Sequence, residues 1–171
     1  MHKILKKLSD TLLPIAKKEQ SRFVKRTGRG FLATFPRVIN AVRFSLNLLN
    51  KVSAYNAKAG SDDRINLRFA VNMGETRADK QNNRLGTAVN MAVRVEGLKP
   101  EQLIPIDNGM AAEEMPIENR ILITERVEQE LRRVNGIRIR PVGLFELKGI
   151  TGLHKISVLN AAKQEKRETV S

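Results

Sequence analysis

Asn90 and Arg94 are the two residues whose types and spacing most directly suggest chemistry. They lie four residues apart in residues 86–97, where a turn of small residues runs into a segment with helical spacing. Residues at i and i+4 share one helical face, so a carboxamide and a guanidinium would point at one target rich in acceptors, such as a phosphate. The same pair also suits an ordinary solvated helix face. The surrounding sequence has to decide between these two interpretations.

The chain carries a large positive charge that is unevenly distributed. Its 171 residues include 31 Lys and Arg against 18 Asp and Glu, a formal net charge of +13, and 41% are hydrophobic, which suits one compact domain. Residues 1–43 hold eleven of the basic residues but only Asp10 and Glu19 as acids, a net of +9. Such a charge attracts polyanions such as nucleic acid, nucleoside triphosphates or anionic lipid, without naming one of them.

Composition excludes several classes of site. The chain has no cysteine, so it holds no disulfide, thiolate metal site or cysteine nucleophile, and His2 and His154 are too few for a histidine cluster. The basic start resembles a signal peptide, but Asp10 and Pro14 interrupt the apolar stretch that would have to follow, and no stretch has the length of a transmembrane segment. We therefore expect a cytoplasmic location, with a basic first helix resting on a membrane surface as the alternative.

Hydrophobic periodicity predicts one domain over residues 1–160 and a polar, flexible tail over 161–171. The predicted elements are, in order, a helix over 3–20 broken or kinked near Pro14, a hairpin over 23–35, a helix from Pro36 to Gly60, a strand over 65–73, a loop over 77–84, a helix from Gly86, an extended loop or arm over 99–119, a strand over 121–123, a short helix capped by Thr124, and a second hairpin over 137–159. This order indicates an α+β fold in which helices cover one side of a sheet.

Four segments resemble, in the correct order, the catalytic domain of class III adenylate and guanylate (nucleotidyl) cyclases. Residues 25–35, KRTGRGFLATF, resemble the K-T-I-G-D-G-F-L-A-x-F hairpin of that family, and residues 67–75, LRFAVNMGE, resemble its L-R-I-G-I-H-x-G-E strand. Residues 86–96, GTAVNMAVRVE, resemble its G-x-x-V-N-x-A-A-R-x-E helix, and 145–152, FELKGITG, resemble its closing E-L-K-G hairpin. The resemblance covers roughly residues 5–159.

The resemblance implies a ferredoxin-like core that works in signal transduction as a head-to-tail dimer, with ATP or GTP held between two subunits. In the family one subunit supplies two metal-binding aspartates, and the other supplies groups that read the base and stabilise the transition state. Attack of the ribose 3′ oxygen on the α-phosphate depends on two divalent ions, Mg²⁺ or Mn²⁺, because the nucleophile must lose its proton and the leaving pyrophosphate must be neutralised.

The sequence departs from the family at both metal-binding aspartates. Arg29 stands in the Gly-x-Gly turn where the family has the second aspartate, and its positive charge would repel a metal ion. The first aspartate belongs to a strand before the first helix, and this chain opens with that helix. Asp79, Asp107 and Glu75 could replace the pair only with a different geometry. We therefore expect no metal site in this chain alone, with Mg²⁺ or Mn²⁺ bound only if a partner supplies aspartates.

The other half of the site is better preserved. By resemblance, Asn90 and Arg94 are the pair that orients the ribose and stabilises the charged phosphorus in the transition state. Lys25 corresponds to a lysine that reads the purine, and Asn83, or else Asn82, falls where adenylate-type members often have aspartate. Lys148 could reach the terminal phosphates. Ordinary exposed strand lysines would explain Lys25 and Lys148 equally well.

A missing first strand also matters for folding, because in the family that strand is central. Burying four or five large side chains is worth on the order of 10 kcal/mol, comparable to the stability of a whole domain. Four outcomes are open: a marginal fold, repair by direct pairing of 31–35 with 65–73, completion by another polypeptide, or an incomplete gene.

Three functions follow in order of preference. The first is a cyclase-like domain that is catalytically silent alone and acts as a degenerate or complementing subunit in a homodimer or heterodimer. The second is a basic nucleic-acid-binding module, which the charge of 1–43 suggests although the aromatic residues are few. The third is a protein-interaction domain whose 99–119 arm grips a partner.

Overall fold

A computed structural model describes residues 2–28 and 30–161 and has an α+β architecture, as predicted. Short 3₁₀ turns occur at Ser61–Asp63, Pro100–Gln102 and Ala112–Glu114. The helices and strands are, in chain order, α1 (His2–Lys18), β1 (Phe23–Thr27), β2 (Gly30–Thr34), α2 (Val38–Lys58), β3 (Arg68–Val71), β4 (Arg77–Ala78), β5 (Arg84–Leu85), α3 (Thr87–Glu96), β6 (Arg120–Thr124), α4 (Glu125–Glu130), β7 (Ile137–Leu147) and β8 (Ile150–Ala161).

The main sheet has four strands in the order β3-β6-β8-β7. Strand β3 runs parallel to β6, and β8 is antiparallel to both β6 and β7. All five residues of β6 are buried, because the sheet is covered on both faces at this strand. Ile121 and Ile123 pack with Val42 of α2 and Val127 of α4 on one face.

Helix α3 covers the opposite face of the same sheet. Leu122, which points away from Ile121 and Ile123, packs with Val95 of α3 and with Phe145 of β7. The prediction that helices cover one side of the sheet was therefore wrong. The error arises because periodicity shows that a helix has an apolar face but not which side of a sheet receives that face.

The hairpin of β1 and β2 forms a separate two-stranded sheet. Within the described residues, β2 pairs only with β1 and β3 pairs only with β6, so the proposed repair by direct pairing of 31–35 with 65–73 does not occur. Side chains join the hairpin to the rest of the chain instead. Phe31 and Val24 pack against an apolar cluster contributed by α1, α2 and the segment leading into β3.

Several predicted boundaries change in the structure. Helix α1 continues through Pro14 without a break, and its apolar face, which includes Leu12 and Ile15, is buried. Helix α2 begins at Val38, after Arg37 as N-cap, and not at Pro36. The polar segment 77–84, predicted to be a loop, contains part of a small antiparallel hairpin formed by β4 and β5.

Segment 99–119 is extended, as predicted, but it lies against its own domain. Met110 and Met115 are buried in the cluster that contains Phe145. Ile104 forms a backbone bridge with Leu144 of β7, with N–O distances of 2.9 and 3.0 Å. Met110 and Met115 are thus used inside the fold, whereas Ile117 is exposed, and the hypothesis that this segment grips a partner stays a prediction.

Candidate functional site

Helix α3 is held rigidly at its N-terminus, where it carries Asn90. The preceding Gly86 has a φ of 130°, which favours glycine, and its carbonyl accepts the Asn90 amide at 3.1 Å. Gly74, at the end of the strand region, lies so close to the helix that an added Cβ would be 2.8 Å from the Ala88 Cβ. Asn72 donates to the Ala88 carbonyl at 3.1 Å, so the start of α3 is fixed to the segment after β3.

The C-terminus of α3 is capped by a buried arginine. Arg120, 2% exposed, donates to the carbonyls of Glu96 at 3.0 Å, Leu98 at 2.6 Å and Pro116 at 3.0 Å. A cation at a helix C-terminus satisfies orphan carbonyls and complements the helix dipole. Burial lowers the pKa of Arg120, and the nearby Arg68 lowers it further. An arginine remains charged because its ordinary pKa lies so far above neutrality.

Asn90 and Arg94 project from the outer face of this fixed helix. Both side chains are exposed, whereas Val95 on the inner face is fully buried. Within residues 2–28 and 30–161 neither side chain has a hydrogen-bond or ion-pair partner. The structure therefore brings the two together on one helical face, as their spacing predicted, with both polar ends available to a ligand.

The base-reading candidates Lys25 and Asn83 meet although 58 positions separate them in sequence. The ammonium group of Lys25 on β1 donates to Oδ1 of Asn83, just before β5. Asn82, the alternative, is exposed, has a φ of 61° and occupies the turn of the β4–β5 hairpin. The contact with Lys25 thus distinguishes Asn83 from Asn82.

Asp79 joins this pair and was not predicted to. Its carboxylate accepts from the backbone N–H groups of Gln81 at 2.9 Å and Asn83 at 2.8 Å, and from Nδ2 of Asn83 at 3.2 Å. The backbone hydrogen bond from Asn83 is the largest of several effects, including the charge of Lys25, that together lower the pKa of Asp79 below its ordinary value. A short aspartate side chain often forms a turn by accepting backbone N–H groups of the residues that follow it. Asp79 in this polar stretch was therefore a turn signal that the sequence analysis could have used.

A second contact ties the same two hairpins together. The guanidinium of Arg84 lies over the Phe23 ring, with its central carbon 5.1 Å from the ring centroid. Cation–π contacts at this distance are typical for arginine. The contact between Arg84 and Phe23 also escaped the sequence analysis, because nothing local links β1 to β5.

Lys148 is not part of either group. It lies exposed at the tip of the β7–β8 hairpin, beside Gly149, whose φ of 80° forms the turn. In the described part of the chain it makes no hydrogen bond or ion pair with Lys25, Asn83, Asn90 or Arg94. Its predicted role at terminal phosphates stays a prediction.

The described residues contain no dense cluster of metal-ligating side chains. Arg29 lies outside the described residues, and in the sequence it stands between Gly28 and Gly30. Among residues 2–28 and 30–161, no three histidine or carboxylate side chains are grouped so that they could hold a metal ion. The expectation that this chain alone holds no Mg²⁺ or Mn²⁺ stays a prediction, because such ions are often held by only one or two carboxylates together with waters and substrate phosphates.

Comparison with solved structures identifies the fold of this chain. An adenylate/guanylate cyclase/hydrolase from Silicibacter pomeroyi superposes with a TM-score of 0.69 over 87% of this chain and 76% of that one, at 23% identity. A dimeric guanylyl cyclase domain from the fungus Blastocladiella emersonii superposes with a TM-score of 0.65 over 95% and 84% of the two chains, at 17% identity. The fold is that of the class III nucleotidyl cyclase catalytic domain.

Sequence comparison points the same way over a shorter stretch. A Rhizobium meliloti (strain 1021) protein, provisionally named adenylate cyclase 3, is 31% identical over 107 residues, which is 63% of this chain. The chain spans only 18% of the length of that curated relative. No protein-family profile matches the chain. Within the described residues of this cyclase fold, no helix is both long and apolar enough to cross a bilayer.

Proposed function

We propose that this chain is a cyclase-type nucleotide-binding domain that supplies half of a shared site and does not cyclise nucleotide by itself. The observation that carries the proposal is the pair Asn90 and Arg94, whose side chains are exposed and have no hydrogen-bond or ion-pair partner in the described part of the chain, on a helix held at both ends. The helix holds the backbone of both residues, and within the described residues no contact of the guanidinium has to break before it binds a phosphate.

The two groups of residues have complementary chemistry. Arg94 can donate two parallel N–H bonds to phosphate oxygens, and Asn90 can donate or accept at a ribose hydroxyl. Lys25 and Asn83 present a donor and an acceptor, as needed to hydrogen-bond a base edge. A nucleoside triphosphate is the ligand class that has all three of these parts.

The proposed lack of activity follows from charge. Developing negative charge on an attacking ribose oxygen and a leaving pyrophosphate needs compensation, which divalent ions held by carboxylates supply. Arg29 replaces one such carboxylate in the hairpin turn. We therefore propose a partner, either a second copy or a different cyclase-type domain, and only a partner with metal-binding aspartates would complete the reaction.

A complementation experiment tests the proposal. The purified chain is mixed with a class III cyclase domain that keeps its metal-binding aspartates but carries substitutions at the equivalents of Asn90 and Arg94. Cyclic nucleotide is then measured with ATP or GTP and Mn²⁺. We expect no product from either protein alone and product from the mixture. Product from this chain alone would disprove the silent role, and no product from the mixture would argue against complementation.

Matched variants show whether Arg94 is responsible. Arg94→Ala should reduce the product of the mixture by about 100-fold or more, because a transition-state donor is lost. Arg126→Ala removes an equally charged, exposed side chain from α4 and should leave the mixture unchanged. Equal effects of the two variants would mean that general positive charge, and not this site, is responsible.

A nucleic-acid-binding module is the second candidate, because residues 1–43 carry a net charge of +9. Stacking platforms for bases need exposed aromatic rings, and none of the seven aromatic residues is exposed. Tyr55 is covered by Lys7, with Nζ 5.3 Å from the ring centroid. A mobility shift with RNA or DNA that persists at modest salt would favour this candidate.

A further inference from the structure

Asp79 and Lys25 together constrain the orientation of the Asn83 carboxamide. Hydrogen-bond partners determine which way an amide group points. Here one partner can only accept a hydrogen bond and the other can only donate one. A carboxylate can only accept, so the end of Asn83 that faces Asp79 must be Nδ2, at 3.2 Å. A lysine ammonium can only donate, so the end that faces Lys25 must be Oδ1.

The orientation decides what the pair offers to a ligand. With the oxygen end of Asn83 beside Lys25, the two present one acceptor and one donor. The Watson–Crick edge of a base has adjacent donors and acceptors, so it matches this pair. A reversed amide would present two donors, which match a phosphate or another purely accepting group but not that edge.

We infer that Asp79 is a positioning residue for base recognition, which holds the carbonyl of Asn83 towards the ligand and thereby makes binding depend on the nucleotide's base. The inference rests on the proposed function, because it assigns the base-reading end of the same nucleotide site. Asp79 acts through Asn83 and needs no contact of its own with the ligand.

Asp79→Asn tests the inference because it keeps the size and shape of the side chain but replaces one accepting oxygen with an N–H donor. The remaining oxygen at position 79 can still accept the backbone N–H groups of Gln81 and Asn83, which lie at 2.9 and 2.8 Å from one carboxylate oxygen, so the turn is retained. The new amide nitrogen would face Nδ2 of Asn83, and two donors cannot bond each other. Asn83 then loses the acceptor that holds its nitrogen end, and only Lys25 still constrains the direction of its carbonyl.

The readout is the ratio of two dissociation constants, for inorganic tripolyphosphate and for ATP, with GTP in a parallel series. The ratio isolates the base, because both ligands share the phosphate chain and respond alike to a change in protein charge. The full chain should prefer the nucleotide. We expect Asp79→Asn to reduce that preference by about 5-fold to 10-fold, the effect of one charge-assisted hydrogen bond at a partly exposed site, with little change for tripolyphosphate.

Two further variants separate positioning from folding. Asp62→Asn makes the same change of charge on an exposed 3₁₀ turn and should leave the ratio unaltered. The double variant Asp79→Asn with Asn83→Asp should restore the preference, because a carboxylate at position 83 can accept from both neighbours. A merely structural role for Asp79 predicts no such rescue.

The outcomes distinguish this inference from the function on which it rests. If the unmodified chain binds neither nucleotide nor tripolyphosphate, or binds both equally, the proposed nucleotide site is wrong and the role of Asp79 falls with it. If the unmodified chain prefers nucleotide and Asp79→Asn keeps the full preference, the nucleotide site stands and the positioning role is overturned.

Discussion

The four-stranded sheet and the β1–β2 hairpin are assembled in different ways. Strand β6 has paired strands on both sides and five buried residues, whereas β2 has a partner on one side and five half-buried residues. A groove of about 540 Å³ between the hairpin and α1 is lined partly by Leu5, Val24 and Phe31. Among the described strands, the hairpin shares no backbone ladder with the main sheet, and side-chain contacts join it to the rest of the domain.

The candidate site spans both regions. Asn90 and Arg94 lie on a helix that packs on the sheet, whereas Lys25 belongs to the hairpin. Asn90 and Arg94 therefore stand on the more firmly packed region, whereas Lys25 stands on the less constrained element. Regions with few buried apolar contacts open at lower free energy.

The largest expected effect contrasts two leucines. Leu122→Ala, in the fully buried centre of β6, should lower the free energy of unfolding by about 2–5 kcal/mol, because it leaves a cavity between α3 and the sheet. Leu32→Ala, in half-buried β2, should cost only about 1 kcal/mol. Urea denaturation of both variants measures the difference. Equal losses would show that the hairpin is as tightly packed as the sheet.

A smaller effect is expected from the cap of α3. Arg120→Ala would leave the carbonyls of Glu96, Leu98 and Pro116 without their donor, at a cost of about 2–4 kcal/mol. Arg140→Ala is the matched control, since its ion pair with Glu114 at 2.6 Å is exposed and worth at most about 1 kcal/mol. If thermal unfolding shows similar losses for both, the buried cap does not stabilise α3.

The smallest expected effect is a change with pH at Asp79. Its folded-state pKa lies below the ordinary value of 3.8, so ionisation stabilises the turn above that value, and the stabilisation is lost as the pH falls through the folded-state pKa. The side-chain amide signals of Asn83, followed by NMR, should shift over that acidic range. The same signals in Asp79→Asn should stay constant there, and a shift in both proteins would assign the titration to another group.

Sequence patterns predicted the elements better than their partners. The hairpin at residues 23–35 and helix α3 were placed correctly, because alternation and helical spacing are local properties. The side of the sheet that α3 covers, and the packing of 99–119 through Met110 and Met115, depend on contacts between distant residues. No local pattern encodes those contacts.

In the candidate site, too, the local arrangement was predicted and the contacts between distant residues were missed. The spacing of Asn90 and Arg94 predicted a shared face, and the structure has it. Asp79 was considered only as a replacement metal ligand, so its role in the turn was missed. The contact between Lys25 and Asn83 was not predicted either, since two strands from separate hairpins have to meet to form it.

Arg120 has a consequence for how this chain can diverge. The Arg120 side chain joins the end of α3 to Pro116, and Met110 and Met115 pack in the same cluster as Val95 of that helix, so the exposed residues between them are not needed to position it. Changes in the exposed turn around Asp107 and Asn108 can then accumulate without moving Asn90 or Arg94. Substitutions in that turn should therefore cost little stability, because the Arg120 guanidinium holds the end of α3 in place.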